Sequence, residues 1–246
     1  MKRLFISLAI LAGISLSSCN DSFLEKTPVT DLTENNAFNS YDNFKAFMWP
    51  CYEMFTNNTI RTSLQGFGQD GQYKGDMAAG YFQQKYESGY NEFAYQTVAS
   101  VASGNGWDFK SFIRRVNIML SHIDNSSMTE AQKDHWRAVG YFFHSFWYME
   151  LIDRFGDVPW VDQVLQEDSP EAYGPRVDRK TVADKVLERL QWAEQNIGNF
   201  TSQDGDNTIN QDCVRAVISR FGLREGTWRK YHELGDCLLY TSDAAD

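Results

Sequence analysis

The sequence predicts an all-α protein. Three observations carry that prediction. Apolar residues recur at i, i+3, i+4 and i+7 through most of residues 107–228. A capping pair and a Gly–Pro stop bracket the longest of these segments. The connectors between successive segments are short, as in helix pairs.

Each element follows from its own residues. Residues 20–36 are polar and read as a leader. Tyr41 to Phe55 then reads as a helix, with Phe44, Phe47, Met48 and Phe55 at helical spacing. Pro50 lacks an amide hydrogen and is expected to kink or divide it. Residues 57–106 are rich in Gly, Asn, Gln, Ser and Tyr and show no helical pattern. Long irregular loops of this kind are uncommon unless they serve function, so this is the expected ligand surface.

From Trp107 the register turns helical. "WDFKSFIRRVNIMLSHID" places Phe109, Phe112, Ile113, Val116, Met119, Leu120 and Ile123 on one stripe. Thr129 with Gln132 forms a capping box, and Gly156 with Pro159 forms the stop of the next helix. Between them Trp136, Val139, Gly140, Phe143 and Trp147 share one face, while Ala138, Tyr141, Phe142, Ser145, Met149 and Ile152 line another. A helix apolar over so much of its circumference must be buried between neighbours. A third helix opens near Asp178 and carries Val182, Val186, Leu190, Ala193 and Ile197 to Gly198. A fourth is expected to begin at Thr208, again with Gln three residues on, carrying Cys213, Ala216, Val217 and Leu223 inward. These pairs fit a tetratricopeptide-like helical scaffold with long irregular loops.

Composition narrows the function. A net charge of −10 opposes nucleic-acid binding, which needs a basic face. Aromatic residues make up 15% of the chain, enough to fill a core and also to line a surface that stacks on sugar rings. The four cysteines, Cys19, Cys51, Cys213 and Cys237, form no C-x-x-C pair, so redox and zinc-ribbon motifs lack their ligands. No H-E-x-x-H, G-x-S-x-G or S-x-x-K motif occurs, and no catalytic residue, metal or cofactor is expected.

The N-terminus reads as a targeting segment, residues 1–18. Lys2 and Arg3 precede an apolar run, Leu4 to Leu16, that is too short for the roughly 20 residues of a spanning helix but suits a signal sequence. Leu16-Ser17-Ser18-Cys19 resembles the bacterial lipobox, which implies cleavage before Cys19 and acylation of its thiol. At about 0.8 kcal/mol per buried methylene, two or three acyl chains tether a domain durably. The competing reading is a secreted chain with Cys19 merely near the cleavage point.

Five segments occur in order: "CNDSFLEKTPVTDLTENNAF", "WDFKSFIRRVNIMLSHID" with Trp107 and Asn117, "RAVGYFFHSFWYMELIDRFGDVPWV", "PRVDRKTVADKVLERLQWAEQNI" and "NTINQDCVRAVISRFGL". Together they resemble the SusD/RagB family of outer-membrane nutrient-binding lipoproteins of Bacteroidota. Phe stands where the family's first helix carries Tyr, and Cys213-Val214 where an Ala is usual before the last helix. The resemblance implies an acyl-anchored, cell-surface-exposed protein of the outer membrane. Its partner would be a SusC-like TonB-dependent barrel transporter, and its ligand an oligosaccharide or, less commonly, a peptide. Family members are much longer, so the expectation is an N-terminal portion truncated at the C-terminus: tether 19–36, SusD-like helical region 37–236, and a non-native tail 237–246 that resembles a translated sequencing adapter.

Two other motifs carry bland readings. "GFGQDG", Gly66 to Gly71, lacks the strand and helix that a dinucleotide site needs and reads as a loop. "DGDNTINQD", Asp204 to Asp212, puts Ile209 where an EF-hand needs Gly and reads as a turn leading to a cap. His144 lies within an apolar helix and reads as a satisfied core residue. For sugar contact the candidates are Tyr81, Tyr90, Asn105 and Trp107, with Asp76 accepting from a hydroxyl. Trp107 reads equally well as core. The competing functions are a lipid-anchored glycoside hydrolase and a helical-repeat adaptor that binds no ligand.

Overall fold

The structure, a computed structural model, describes residues 38–55 and 107–232. The predicted signal, Cys19, the leader, the loop at 57–106 with Asp76, Tyr81, Tyr90 and Asn105, and the tail at 237–246 lie outside the described residues. The described elements belong to the compact unit Phe38–Asp246.

They are helical. In chain order they are α1 (Tyr41–Met48), a 3₁₀ turn (Trp49–Phe55), α2 (Phe112–His122), α3 (Glu130–Phe155), a second 3₁₀ turn (Pro170–Tyr173), α4 (Arg179–Asn196), the single turn α5 (Thr201–Asp204) and α6 (Gln211–Tyr231). Among the described residues the extended backbone is limited to one antiparallel bridge, Val158 to Val177. No helix among them is long and apolar enough to cross a membrane.

Pro50 divides the first helix as its missing amide hydrogen requires: α-geometry stops at Met48 and continues as a 3₁₀ turn. α3 is the central helix and packs chiefly on α4 and α2, while α6 closes on α4. Every residue from Phe142 to Met149 is buried, as a helix apolar on two faces demands. Gly140 permits the close approach of α2, because a Cβ there would lie 2.5 Å from Met119 Cε and 3.1 Å from Leu120 Cδ2. The predicted capping box is present: Thr129 Oγ1 accepts from Gln132 N, and Gln132 Oε1 accepts from Thr129 N at 3.0 Å. Gly156 ends α3 with φ at 67°.

α4 opens on Asp178, whose carboxylate accepts from Thr181 N at 2.9 Å, and buries Val182, Val186, Leu190 and Ala193. Three expectations are corrected. α2 begins at Phe112 rather than at Trp107, because Asp108 turns the chain by accepting from Lys110 N and Ser111 N. α6 is capped by Asn210, not Thr208: the Asn210 side chain accepts from Cys213 N, while the Thr208 hydroxyl donates back to Gly205 O. The buried face of α6 also differs. It consists of Val214, Phe221, Gly222, Glu225, Gly226 and Arg229, and Leu223 is 57% exposed.

Candidate functional site

Trp107 sits just ahead of α2, beside the last residue of α3. Its ring meets Phe155 edge-on at 4.9 Å and Phe109 at 5.2 Å, and the Arg176 guanidinium lies over it at 4.9 Å. It is half-buried. A cation over an indole face is favourable and covers the surface that would otherwise stack on a ligand.

Downstream of α3, residues 159–163 are stitched down by three inward polar side chains. Asn117 Nδ2 donates to Val161 O at 3.1 Å and Gln163 O at 3.0 Å. Tyr148 donates to Pro159 O and accepts from Val161 N at 2.7 Å. His144 is fully buried and bonds Val161 O through Nε2 at 2.9 Å. Burial, then the Arg189 charge, holds its imidazole well below the ordinary range, so His144 is a neutral structural group.

Two cavities flank the 3₁₀ turn that follows α1. The first, about 510 Å³, is apolar and lies between that turn, α3 and α6. Phe142, Phe146, Met149 and Val217 contribute walls, and Glu150 sits at its edge. Burial, with the Asp153 charge adding to it, pushes the Glu150 carboxyl up to about 7, against the opposing pull of Arg224, Arg154 and Arg220. Cys213, Ala216 and Val217, from the predicted inward stripe of α6, line this cavity.

The second cavity, about 580 Å³, is lined by Trp49, Glu53, Asp204, Asp206, Asn207 and Thr208, among others. Tyr52, Asp206, Asn207 and Thr208 border both cavities. The loop that forms this wall is held from below. Asp204 Oδ2 accepts from Tyr41 Oη at 2.6 Å and lies 3.3 Å from His135 Nε2, while Lys45 Nζ is 3.7 Å from Asp204 Oδ1. Tyr52 Oη accepts from Ile209 N at 3.0 Å, and Gly205, with φ at 89°, allows the chain to turn. Burial raises the Tyr41 phenol, and the Asp204 hydrogen bond raises it further. Burial lowers His135 although Asp204 pulls the other way. The "DGDNTINQD" segment is thus a turn into a cap, but Asp204 within it is a buried anchor rather than a solvated group.

Sequence reasoning missed this second cavity. The signal available was a tryptophan next to the helix-dividing proline, but nothing in the sequence sets Trp49 beside residues 204–208. Among the described residues no three His, Cys, Asp or Glu side chains converge as a metal site. The arrangement offers aromatic faces, carboxylates and an amide, which is equipment for binding polyhydroxyl compounds.

A family profile, SusD-like, described as starch-binding and associating with the outer membrane, matches residues 22–223. No curated protein matches the chain. Among solved structures, a SusD-like protein from Bacteroides fragilis NCTC 9343 is similar at TM-score 0.60 and 18% identity, covering 83% of this chain and 39% of that one. B. fragilis NanU is similar at TM-score 0.57 and 14% identity, covering 89% and 43% respectively. A SusD-like carbohydrate-binding protein from Bacteroides vulgatus ATCC 8482 gives TM-score 0.56 and 17% identity, covering 78% and 43%. At such identities the likeness establishes the tetratricopeptide-like fold, and the chain spans about two fifths of the length of these structures. With the family profile matching most of its length and the helices arranged as in these structures, the chain belongs to the SusD-like family.

Proposed function

We propose that the protein is a non-catalytic, surface-exposed lipoprotein that captures oligosaccharides and delivers them to a SusC-like TonB-dependent outer-membrane transporter. The observation that carries this reading is the match of residues 22–223 to a family described as starch-binding and associating with the outer membrane. In this reading residues 1–18 direct export, Cys19 carries the acyl chains, residues 19–36 form the tether and the helices from residue 37 onward form the scaffold. Asp76, Tyr81, Tyr90 and Asn105 supply ligand contacts, while Trp107, with Arg176 over its ring, packs on Phe109 and Phe155.

Affinity electrophoresis through gels carrying single polysaccharides tests the binding. Retarded migration on at least one glycan is expected, with no release of reducing ends on long incubation. Steady turnover would identify a hydrolase instead, and free migration on every glycan would favour an adaptor. Mass spectrometry of the mature protein is expected to find a diacylated cysteine at position 19 as the N-terminus. Recovery of a barrel transporter with the protein from detergent-solubilised outer membrane checks the delivery partner.

A further inference from the structure

The geometry points to a saccharide subsite at Trp49, formed between the 3₁₀ turn and the loop 204–208 and selective for neutral over acidic sugars. It rests on the saccharide-binding reading above, and is separate from the loop residues given ligand contacts there.

Three observations carry it. The first is a platform. Trp49 is 51% exposed and lines the cavity of about 580 Å³. Trp228, also partly exposed, has its ring stacked on His232 at 3.9 Å with Arg179 over it at 4.4 Å, so its faces are covered. Trp49 also has a cation over its ring, Lys45, but at a looser 6.0 Å from the centroid, with Tyr52 tilted against it at 5.1 Å, and half of the residue stays open to solvent. An exposed indole at a cavity wall is the surface on which the C–H face of a pyranose packs.

The second is a pre-arranged set of hydroxyl partners. Glu53 and Asp206 are acceptors, Asn207 offers both a donor and an acceptor, and Thr208 adds a hydroxyl. The loop bearing Asp206, Asn207 and Thr208 is fixed by Asp204 on Tyr41 and by the Ile209 amide on Tyr52. Little ordering remains to be done when a ligand arrives, which favours affinity.

The third is the Asp204 carboxylate itself. Its side chain is 6% exposed and lines the same cavity, yet Oδ1 has no hydrogen-bond donor among the described residues, Lys45 Nζ standing off at 3.7 Å. A buried acceptor of this kind is costly unless something donates to it. Oδ1 is closed to solvent beside Lys45, so a sugar hydroxyl meets that need once Lys45 swings aside and opens the atom to the cavity.

The charge sets the class of sugar. Glu53, Asp204 and Asp206 put three carboxylates around the cavity, and the neighbouring cation, Lys45, is already engaged by Asp204 and by Gln203 O. A uronate, sialate or sulfate would enter against that surplus, whereas neutral hydroxyls donate to it.

Titration calorimetry of the full chain tests the subsite. The probes are maltoheptaose, laminarihexaose, cellohexaose and mannohexaose, with oligogalacturonate and sialyllactose as acidic counterparts. At least one neutral probe is expected to bind, with both acidic probes at least tenfold weaker. Trp49→Ala is expected to weaken the neutral probe at least tenfold and Trp49→Phe by less, with the melting temperature of each unchanged. Glu53→Gln combined with Asp206→Asn should narrow the neutral-to-acidic ratio. Unchanged affinity in Trp49→Ala overturns the subsite and leaves the saccharide-binding reading standing. Equal affinity for acidic and neutral probes overturns the selectivity. Failure of the unaltered chain to bind any probe overturns the subsite, and the saccharide-binding reading falls with it only if migration is also free on every glycan in the affinity gels.

Discussion

Asn117 donates to two carbonyls, Val161 and Gln163, from a side chain that is 2% exposed. A polar residue on the apolar stripe of α2 is costly unless both bonds form, so its role is to fasten the segment after α3. Asn117→Ala is expected to lower stability by about 1–3 kcal/mol, read as a shift in the denaturation midpoint with an unchanged slope. Glu150 makes a prediction in pH. Its carboxyl ordinarily titrates at 4.5 and is pushed up to about 7 in the fold, so the folded state holds this proton more tightly. The associated stability is fully present below pH 4.5 and is lost as pH rises through 7. Glu150→Gln removes that loss. The variant is expected to be more stable than the parent by about 3 kcal/mol at pH 8, at about 1.4 kcal/mol per pKa unit, and equal to it below pH 4.5. His135 and His144 act in the opposite sense, since burial lowers both and their contribution is lost as pH falls. They are common to both proteins, so the difference between melts isolates Glu150. The identity of Asn117 could be read from the sequence; its two acceptors, more than 40 residues away, could not.

At the scale of elements, caps and breakers were legible because they act within four residues. Thr129 with Gln132, Asp178 with Thr181, and Pro50 each specify a boundary through neighbours on the same turn. Thr129→Ala is expected to cost about 1 kcal/mol, measured by urea denaturation, because Thr129 is exposed and its loss removes only the cap of the central helix. The start of α6 was misplaced by two residues for a local reason. Thr208 and Asn210 are both suitable caps, and each is followed three residues on by a residue whose amide can donate. Only the backbone decides, and it is extended at Asn210, with φ −132° and ψ 179°, while Thr208 is spent on Gly205 O. The apolar spacing of Trp107 continues the stripe of α2, yet the Asp108 turn interrupts the helix before Phe112. Periodicity does not register a side chain that captures two backbone amides.

Across the whole molecule, α6 shows how tertiary contacts override an amphipathic pattern. Glu225 is fully buried and takes two bonds from Arg179 Nη1, at 2.8 and 2.6 Å, and one from Arg229 Nε at 3.0 Å. Arg229 reaches on to Asp184 at 2.6 Å, and Asp153 joins Arg179 to Arg224. This network fastens α6 to α4 and to the end of α3. Glu225→Ala would leave two arginines without their shared partner and is expected to cost about 3–5 kcal/mol. Arg215→Ala, which removes an exposed pair with Glu194, should change stability by less than about 1 kcal/mol, both variants being read from thermal melts. Charged residues count against burial in any sequence pattern, so the stripe of Cys213, Ala216, Val217 and Leu223 looked like the inner face. By itself, the sequence determined the helical class, the caps of α3 and α4, the double-faced central helix and the family's motifs, because each is written in residues within a few turns of one another. The tertiary structure alone decided which face of α6 turns inward, and that Asp204 meets Tyr41 across 163 residues to set a loop beside Trp49. Those outcomes depend on partners that only chain folding brings within hydrogen-bonding distance.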